Sequence, residues 1–168
     1  DGLMLGICNG FQALIKLGLV PYGDIVPMTA ECPTLTFNTI GRHQSRLVRT
    51  RVASNLSPWL AKTEVGDMHT IAISHGEGRF VASDDMLAQL KANGQIATQY
   101  VDEAGVPGMD LSVNPNGSLL AIEGITSPDG RVFGKMGHSE RYSNGTFKNV
   151  PGEKDQPLFA AGVEYFAA

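Results

Sequence analysis

The stretch LGICNGFQ (residues 5–12) constrains this chain more than any other, because it requires a strand to become a helix at a single residue. Gly2 to Ile7 form a short, continuous apolar run, the pattern of a strand buried on both faces. From Asn9 the spacing is helical: Phe11, Leu14, Ile15 and Leu17 recur at three and four residues, and Gly18 offers a C-terminal cap. Cys8 stands at the bend, between Gly6 and Gly10. This is the thiol form of a nucleophile elbow, where the reactive atom projects from a strained turn and bulk at the flanking positions clashes across it. In a chain with 20 glycines in 168 residues, composition alone would place glycine at both positions around a given cysteine about 1–2% of the time. The competing reading is a small core cysteine. As an elbow, the helix N-terminus predicts a lowered thiol pKa and makes the N–H of Asn9 an oxyanion donor.

The rest of the chain continues the alternation of strand and helix. RLVRTRVA (46–53), HTIAIS (69–74), RFVA (79–82) and QIATQYVD (95–102) read as strands, and SNLSPWL (54–60) as a helical turn. Ser83 caps a helix over DDMLAQLKAN, with Asp84 and Asp85 at its positive end and Gly94 as its stop. Residues 20–45 carry Pro21, Gly23, Pro27, Pro33 and Gly41 and predict a long loop with extended segments. NPNGS (114–118) is a turn signal, LLAIEGITS and RVFGKM frame a hairpin around PDG, and QPLFAAGVEYF makes a last short helix. These elements predict an α/β fold: a mostly parallel, doubly wound sheet flanked by helices, with an added antiparallel hairpin and the site at the strand carboxyl ends.

With 168 residues, 42% of them apolar, the chain is expected to form one domain with one core. Opening at Asp1 directly on a buried-looking strand, that domain (1–168) reads as N-terminally incomplete, a piece of a longer polypeptide. A formal charge of −4 and scattered aromatics argue against nucleic acid as a partner, and no apolar stretch reaches the ~18–20 residues of a membrane span. Two cysteines without disulfide or zinc spacing fit a reducing, cytoplasmic setting, and four dispersed histidines give no metal site. Cys32, beside Pro33 in the long loop, receives no role.

A thiol acylated by substrate needs a group that protonates the leaving amine and later activates water. His138, in KMGHSER just after a strand, is the leading candidate, and Glu140 two residues on can orient its imidazole. His75, in SHGEGR, competes for the role or shapes a pocket, whereas His43 and His69 read as structural or surface residues. Gln12 lies one helical turn beyond Cys8 on the same face, where its carboxamide can meet a polar substrate.

GICNGFQ resembles the nucleophile motif of class I (triad) glutamine amidotransferases, and GHSER resembles that family's His-x-Glu segment. Together with SHGEGRF and NPNGS…IEGI, the combination is similar to the glutaminases of phosphoribosylformylglycinamidine synthases, over nearly the whole chain. The resemblance implies a flavodoxin-like fold and a triad of Cys8, which forms a glutamyl thioester, His138 as acid and base, and Glu140 as its orienting partner. It implies that Asn9, Gln12, Ser74, His75, Gly76 and Glu77 hold glutamine. It further implies a synthetase domain or subunit as partner, where ATP and Mg2+ act and to which ammonia is delivered, with no cofactor in this domain. That family exists as separate small subunits and as domains of fused chains, and the ending FKNVPGEKDQPLFAAGVEYF is closer to the fused form.

Members of the family carry further strands and a glycine-rich loop with a second oxyanion donor upstream of the elbow. The 168 residues alone are therefore expected to show little or no glutaminase activity, since one lost oxyanion donor costs about 3 kcal/mol at the transition state. No G-x-x-x-x-G-K-[ST] phosphate motif is present, in keeping with ATP binding elsewhere. Two alternatives stand beside this reading: a stand-alone cysteine hydrolase on the same elbow, and a non-catalytic domain that senses glutamine and signals a partner.

Overall fold

A computed structural model describes residues 2–167. The first strand, β1 (Met4–Ile7), pairs in parallel with β8 (Val132–Lys135), Met4 opposite Val132 and Ile7 opposite Lys135. Helix α1 (Asn9–Leu17) follows immediately and ends at Gly18, whose φ of 86° and N–H bond to the Ile15 carbonyl make the expected left-handed cap. The long loop contains a single turn, α2 (Leu19–Tyr22), and a short strand, β2 (Thr34–Thr36). Strands β3 (Gln44–Val52) and β4 (Met68–His75) are joined through a 3-10 turn at Pro58–Leu60, and β5 (Arg79–Val81) pairs with β2 in a separate two-stranded sheet. Helix α3 (Asp84–Ala92) starts at Ser83, whose Oγ accepts from the Met86 N–H at 3.2 Å, a cap worth about 1 kcal/mol. Strands β6 (Ile96–Tyr100) and β7 (Ile122–Thr126) and the terminal helix α4 (Leu158–Tyr165) complete the chain.

The larger sheet has the order β1-β8-β7-β6-β3-β4. Because consecutive side chains leave a strand on opposite faces, each strand feeds two cores. On one face Phe11, Leu14 and Ile15 of α1 and Leu90 of α3 pack with Ile96, Ile122 and Ile125. On the other, Ala97 and Phe133 pack with Leu60 and with Leu158 of α4. Phe11 lies on Gly134, where a Cβ would stand 2.2 Å from its ring, so α1 sits close against β8. The α/β layering, the helices on both faces and the antiparallel β7–β8 hairpin are as the sequence predicts.

Strand direction departs from the expected mostly parallel sheet. Of the five neighbouring pairs, only β1–β8 is parallel, and the other four are antiparallel. A parallel pair needs a crossover of a dozen or more residues, usually helical. The 127–131 link between β7 and β8 is far too short for one, and residues 53–67 between β3 and β4 hold only a 3-10 turn. The sheet also curls: although β4 and β8 are four places apart, the His138 N–H, just past β8, donates to the Ala72 carbonyl of β4 at 2.8 Å. The ends of β1, β8 and β4 therefore converge, and the candidate site lies at that seam.

Candidate active site

The elbow forms as the sequence predicts. The Cys8 N–H extends the parallel ladder by donating to the Lys135 carbonyl at 2.8 Å, while its own carbonyl accepts the first helical bond, from the Gln12 N–H at 3.1 Å. One residue thus ends the strand and caps the helix, and it does so at φ 54°, ψ −106°. A side-chain-bearing residue in such a conformation costs about 1–3 kcal/mol and persists only where its surroundings hold it. Gly6 supplies part of that hold: a Cβ there would stand 2.5 Å from Leu14 Cδ1 and 2.7 Å from the Gly10 carbonyl carbon. Gly10 differs from the expectation, since a Cβ on it meets nothing within 4 Å. The clash across the bend is one-sided, because Gly6 lies against the backbone of the helix whereas the Cβ direction of Gly10 is open. Gly6→Ala is accordingly expected to lower stability by about 1–3 kcal/mol and Gly10→Ala to leave it unchanged or slightly raised, as denaturant unfolding will report.

The sulfur is half-buried, and Cys8 Sγ donates to the Ser74 carbonyl at 3.6 Å. Burial pushes the thiol up from its ordinary value, outweighing the Asn9 N–H and the Arg141 charge, which favour thiolate, while Glu140 opposes it. This reverses the expected lowering of the pKa. The helix N-terminus acts as foreseen through Asn9, but desolvation is the larger effect. Burial thus favours the thiol over the thiolate.

His138 stands at the same seam. Its backbone bond to Ala72 lies two residues along β4 from the carbonyl that holds the Cys8 thiol, so one strand anchors both residues. Its Nδ1 meets Glu140 Oε1 at 2.5 Å, and its Nε2 is buried with no hydrogen-bond partner. A ring fixed through Nδ1 by a carboxylate presents Nε2 as its working atom, the arrangement of a triad base.

The loop that follows β4 closes on the elbow helix. Gln12 Nε2 donates to the Glu77 carbonyl at 2.7 Å, which ties this loop to the elbow helix, and the carbonyl of Ser74, near the end of β4, accepts from the thiol. His75 faces inward. Its Nδ1 lies 3.2 Å from Asn38 Oδ1, Asn38 Nδ2 donates to the His75 carbonyl at 2.9 Å, and a Cβ on Gly78 would stand 2.4 Å from the imidazole. Its side chain shapes the loop, in keeping with the pocket-shaping reading. Three residues enter the site that sequence reasoning did not place there. His43 Nε2 lies 3.1 Å from Ser74 Oγ, Asn38 Oδ1 accepts from the Gly78 N–H, and Arg141 bears on the thiol. Only the β3–β4 register, Gln44 opposite His75, carries His43 there. NPNGS does more than turn: Asn116 Nδ2 and Ser118 Oγ both donate to the Gly78 carbonyl, bracing the loop from beneath.

Burial, with His43 and His138 nearby, holds the His75 imidazole down at about 4 from its ordinary 6.5. The unfolded chain therefore binds a proton that the folded chain refuses between those values. The contribution of this group to stability is expected to be full above pH 6.5 and to fall by about 3 kcal/mol as the pH drops to 4. Denaturant unfolding followed by Trp59 fluorescence is expected to show this fall. It should be smaller in His75→Gln, though still present because His69 is depressed in the same direction.

A strained cysteine between strand and helix, with a histidine–carboxylate pair anchored to the same neighbouring strand, defines a class: α/β domains that present a thiol at an elbow. The sequence profile of the CobB/CobQ-like glutamine amidotransferase domain matches residues 1–166. The chain belongs to that family. It is 39% identical over 140 residues to phosphoribosylformylglycinamidine synthase subunit PurQ of Aquifex aeolicus, covering 83% of this chain and 56% of the relative. It is 37% identical over 170 residues to the subunit of the same name from Synechococcus elongatus, covering 99% and 64%. Among solved structures, a chain in the structure of PurLQS from Thermotoga maritima superposes with a TM-score of 0.69 at 30% identity, covering 98% of this chain and 62% of that one. The chain thus spans less than two thirds of the length of these relatives. Among the described residues, no helix is long and apolar enough to cross a membrane.

Proposed function

We propose that this chain is the glutaminase part of a phosphoribosylformylglycinamidine synthase. The observation that carries this reading is the unpartnered, buried Nε2 of His138, on a ring tied to Glu140, anchored to the strand that also holds the Cys8 thiol. The names of the relatives support the particular synthase, and their designation as subunits favours a separate subunit over a fused domain.

His138 takes the proton of Cys8, and the sulfur attacks the side-chain carbonyl carbon of glutamine. The oxyanion that develops is met by the N–H of Asn9. As the tetrahedral adduct collapses, the C–N bond breaks and His138 returns the proton to the leaving nitrogen, releasing ammonia and leaving a γ-glutamyl thioester. His138 then draws a proton from water, hydroxide attacks the thioester carbonyl, and glutamate departs with the thiol restored. Glu140 holds the ring and stabilises its charged form in both halves. Gln12 and residues 74–77, at the end of β4 and the turn after it, position the substrate amino acid. Ammonia passes to the synthetase partner, where ATP and Mg2+ support conversion of formylglycinamide ribonucleotide to its amidine. The reaction belongs to the cytoplasm, where thiols such as those of Cys8 and Cys32 stay reduced.

The test is labelling of the complete enzyme with a glutamine-like electrophile such as 6-diazo-5-oxonorleucine. Mass spectrometry should find the adduct on Cys8 and free glutamine should prevent it. Modification confined to Cys32, or insensitive to glutamine, would refute the assignment.

A further inference from the structure

Strands β7 and β8 each bury a charged residue where a core-facing position ordinarily holds an apolar one. Glu123 and Lys135 have no solvent exposure, and Glu123 Oε1 lies 3.6 Å from Lys135 Nζ. Packing does not account for them, since a buried ion pair adds little net stability over apolar side chains of the same volume. Their hydrogen bonds go instead to the segment that carries His138. Lys135 Nζ donates to the Gly137 carbonyl at 3.1 Å and to Ser139 Oγ at 2.8 Å, and the Gly137 N–H donates to Glu123 Oε1 at 2.5 Å. Thr98 Oγ1 donates to the other carboxylate oxygen of Glu123, and Ser139 Oγ donates to Gln156 Oε1 at 2.7 Å.

Both backbone groups of the residue before His138, and the side chain of the residue after it, are therefore gripped from the sheet. Gly137 permits the approach: a Cβ there would stand 2.8 Å from Glu123 Oε1 and 2.8 Å from Ile71 Cγ2. With the His138 N–H held by Ala72, three consecutive residues are pinned by groups from β4, β7 and β8. Burial draws the Lys135 ammonium towards its neutral form, and the Glu123 carboxylate opposes this most strongly, followed by Glu140. The charge of Lys135 thus depends on Glu123.

We propose that Glu123 and Lys135 are positioning residues for His138: a buried pair on adjacent strands that clamps residues 137–139 so that the His138–Glu140 couple keeps its place beside the Cys8 thiol. The proposal rests on the glutaminase reading. Neither residue touches substrate, so their effect falls on turnover and leaves glutamine binding and ammonia use intact.

The test uses the complete enzyme with its synthetase partner and the variant Glu123→Gln/Lys135→Met, which removes both charges without stranding either. Ser139→Ala, which deletes one Lys135 acceptor and leaves the pair itself, is the milder companion should the double variant not fold. The expected result for the double variant is a kcat for glutamine about 10- to 100-fold lower, the range that a small displacement of a catalytic group produces. KM for glutamine and ammonia-driven synthesis should match the parent. Ser139→Ala is expected to lower kcat about fivefold with KM unchanged. A folded double variant with the parent's kcat, or a loss shared equally by ammonia-driven synthesis, would overturn the proposal, as would an unchanged kcat in Ser139→Ala. Cys8→Ala in the same assay separates the two levels. If that variant still turns over glutamine, the glutaminase reading itself fails. If it is inactive while the double variant keeps its kcat, only the clamp is wrong.

Discussion

In the complete enzyme, Cys8→Ala is expected to lower glutamine-driven amidine formation by about 10⁴-fold or more while ammonia-driven synthesis continues at the parent rate. The split follows from where the thiol acts. Among the described residues, Cys8 sets its nucleophilic atom on the strained strand-to-helix elbow, and on the glutaminase reading acylation of that thiol divides amide hydrolysis into two easier steps. Ammonia added from solution bypasses that step. The substitution is small, and the positive φ at position 8 is already imposed by the fold, so the variant should remain folded, which circular dichroism will establish. Parallel assays with glutamine and with ammonium chloride decide the matter. A variant that retains glutamine-driven turnover would remove Cys8 from the chemistry, and equal loss of both activities would place it in structure.

His138→Gln is the second large effect, an expected loss of about 10²- to 10⁴-fold in glutamine-driven kcat. Burial raises the Cys8 thiol above its ordinary value, so on the glutaminase reading the reaction should depend on a neighbouring base more heavily than it would with a preformed thiolate. The unpartnered Nε2 of His138 is the base that reading assigns, and glutamine's carboxamide at position 138 can fill the space but cannot carry a proton back and forth. Because acid and nucleophile work as a unit, the double variant Cys8→Ala/His138→Gln should be no slower than Cys8→Ala alone. Steady-state glutaminase kinetics on the three variants test both statements, and additive losses would mean that the two residues act in separate steps.

The parts of this molecule that were legible in the sequence are those whose cause is local. The bend at Cys8 followed from an apolar run meeting a 3.6-residue period, the stop at Gly18 from the left-handed cap it adopts, and the start of α3 from Ser83 and the two aspartates after it. The His138–Glu140 contact was likewise within reach, because two residues separate the partners. The open surroundings of Gly10 were not legible there, since the direction of its missing Cβ depends on how α1 leaves the bend, which composition does not encode. The raised pKa of Cys8 was hidden for a related reason: the helix N-terminus is written in the sequence, but the degree of desolvation is set by what closes over the sulfur.

What the sequence by itself determined, then, is the elbow and the alternation of most strands and helices, because side-chain periodicity and turn preferences act over a few residues. The tertiary structure alone decided the antiparallel run of the sheet, the curl that carries β4 back to the end of β8, the arrival of His43 beside Ser74, and the burial of Glu123 against Lys135. Those features arise between residues far apart in the chain. Their energies depend on distance and on exclusion of water, and both come into being only when the strands close on one another.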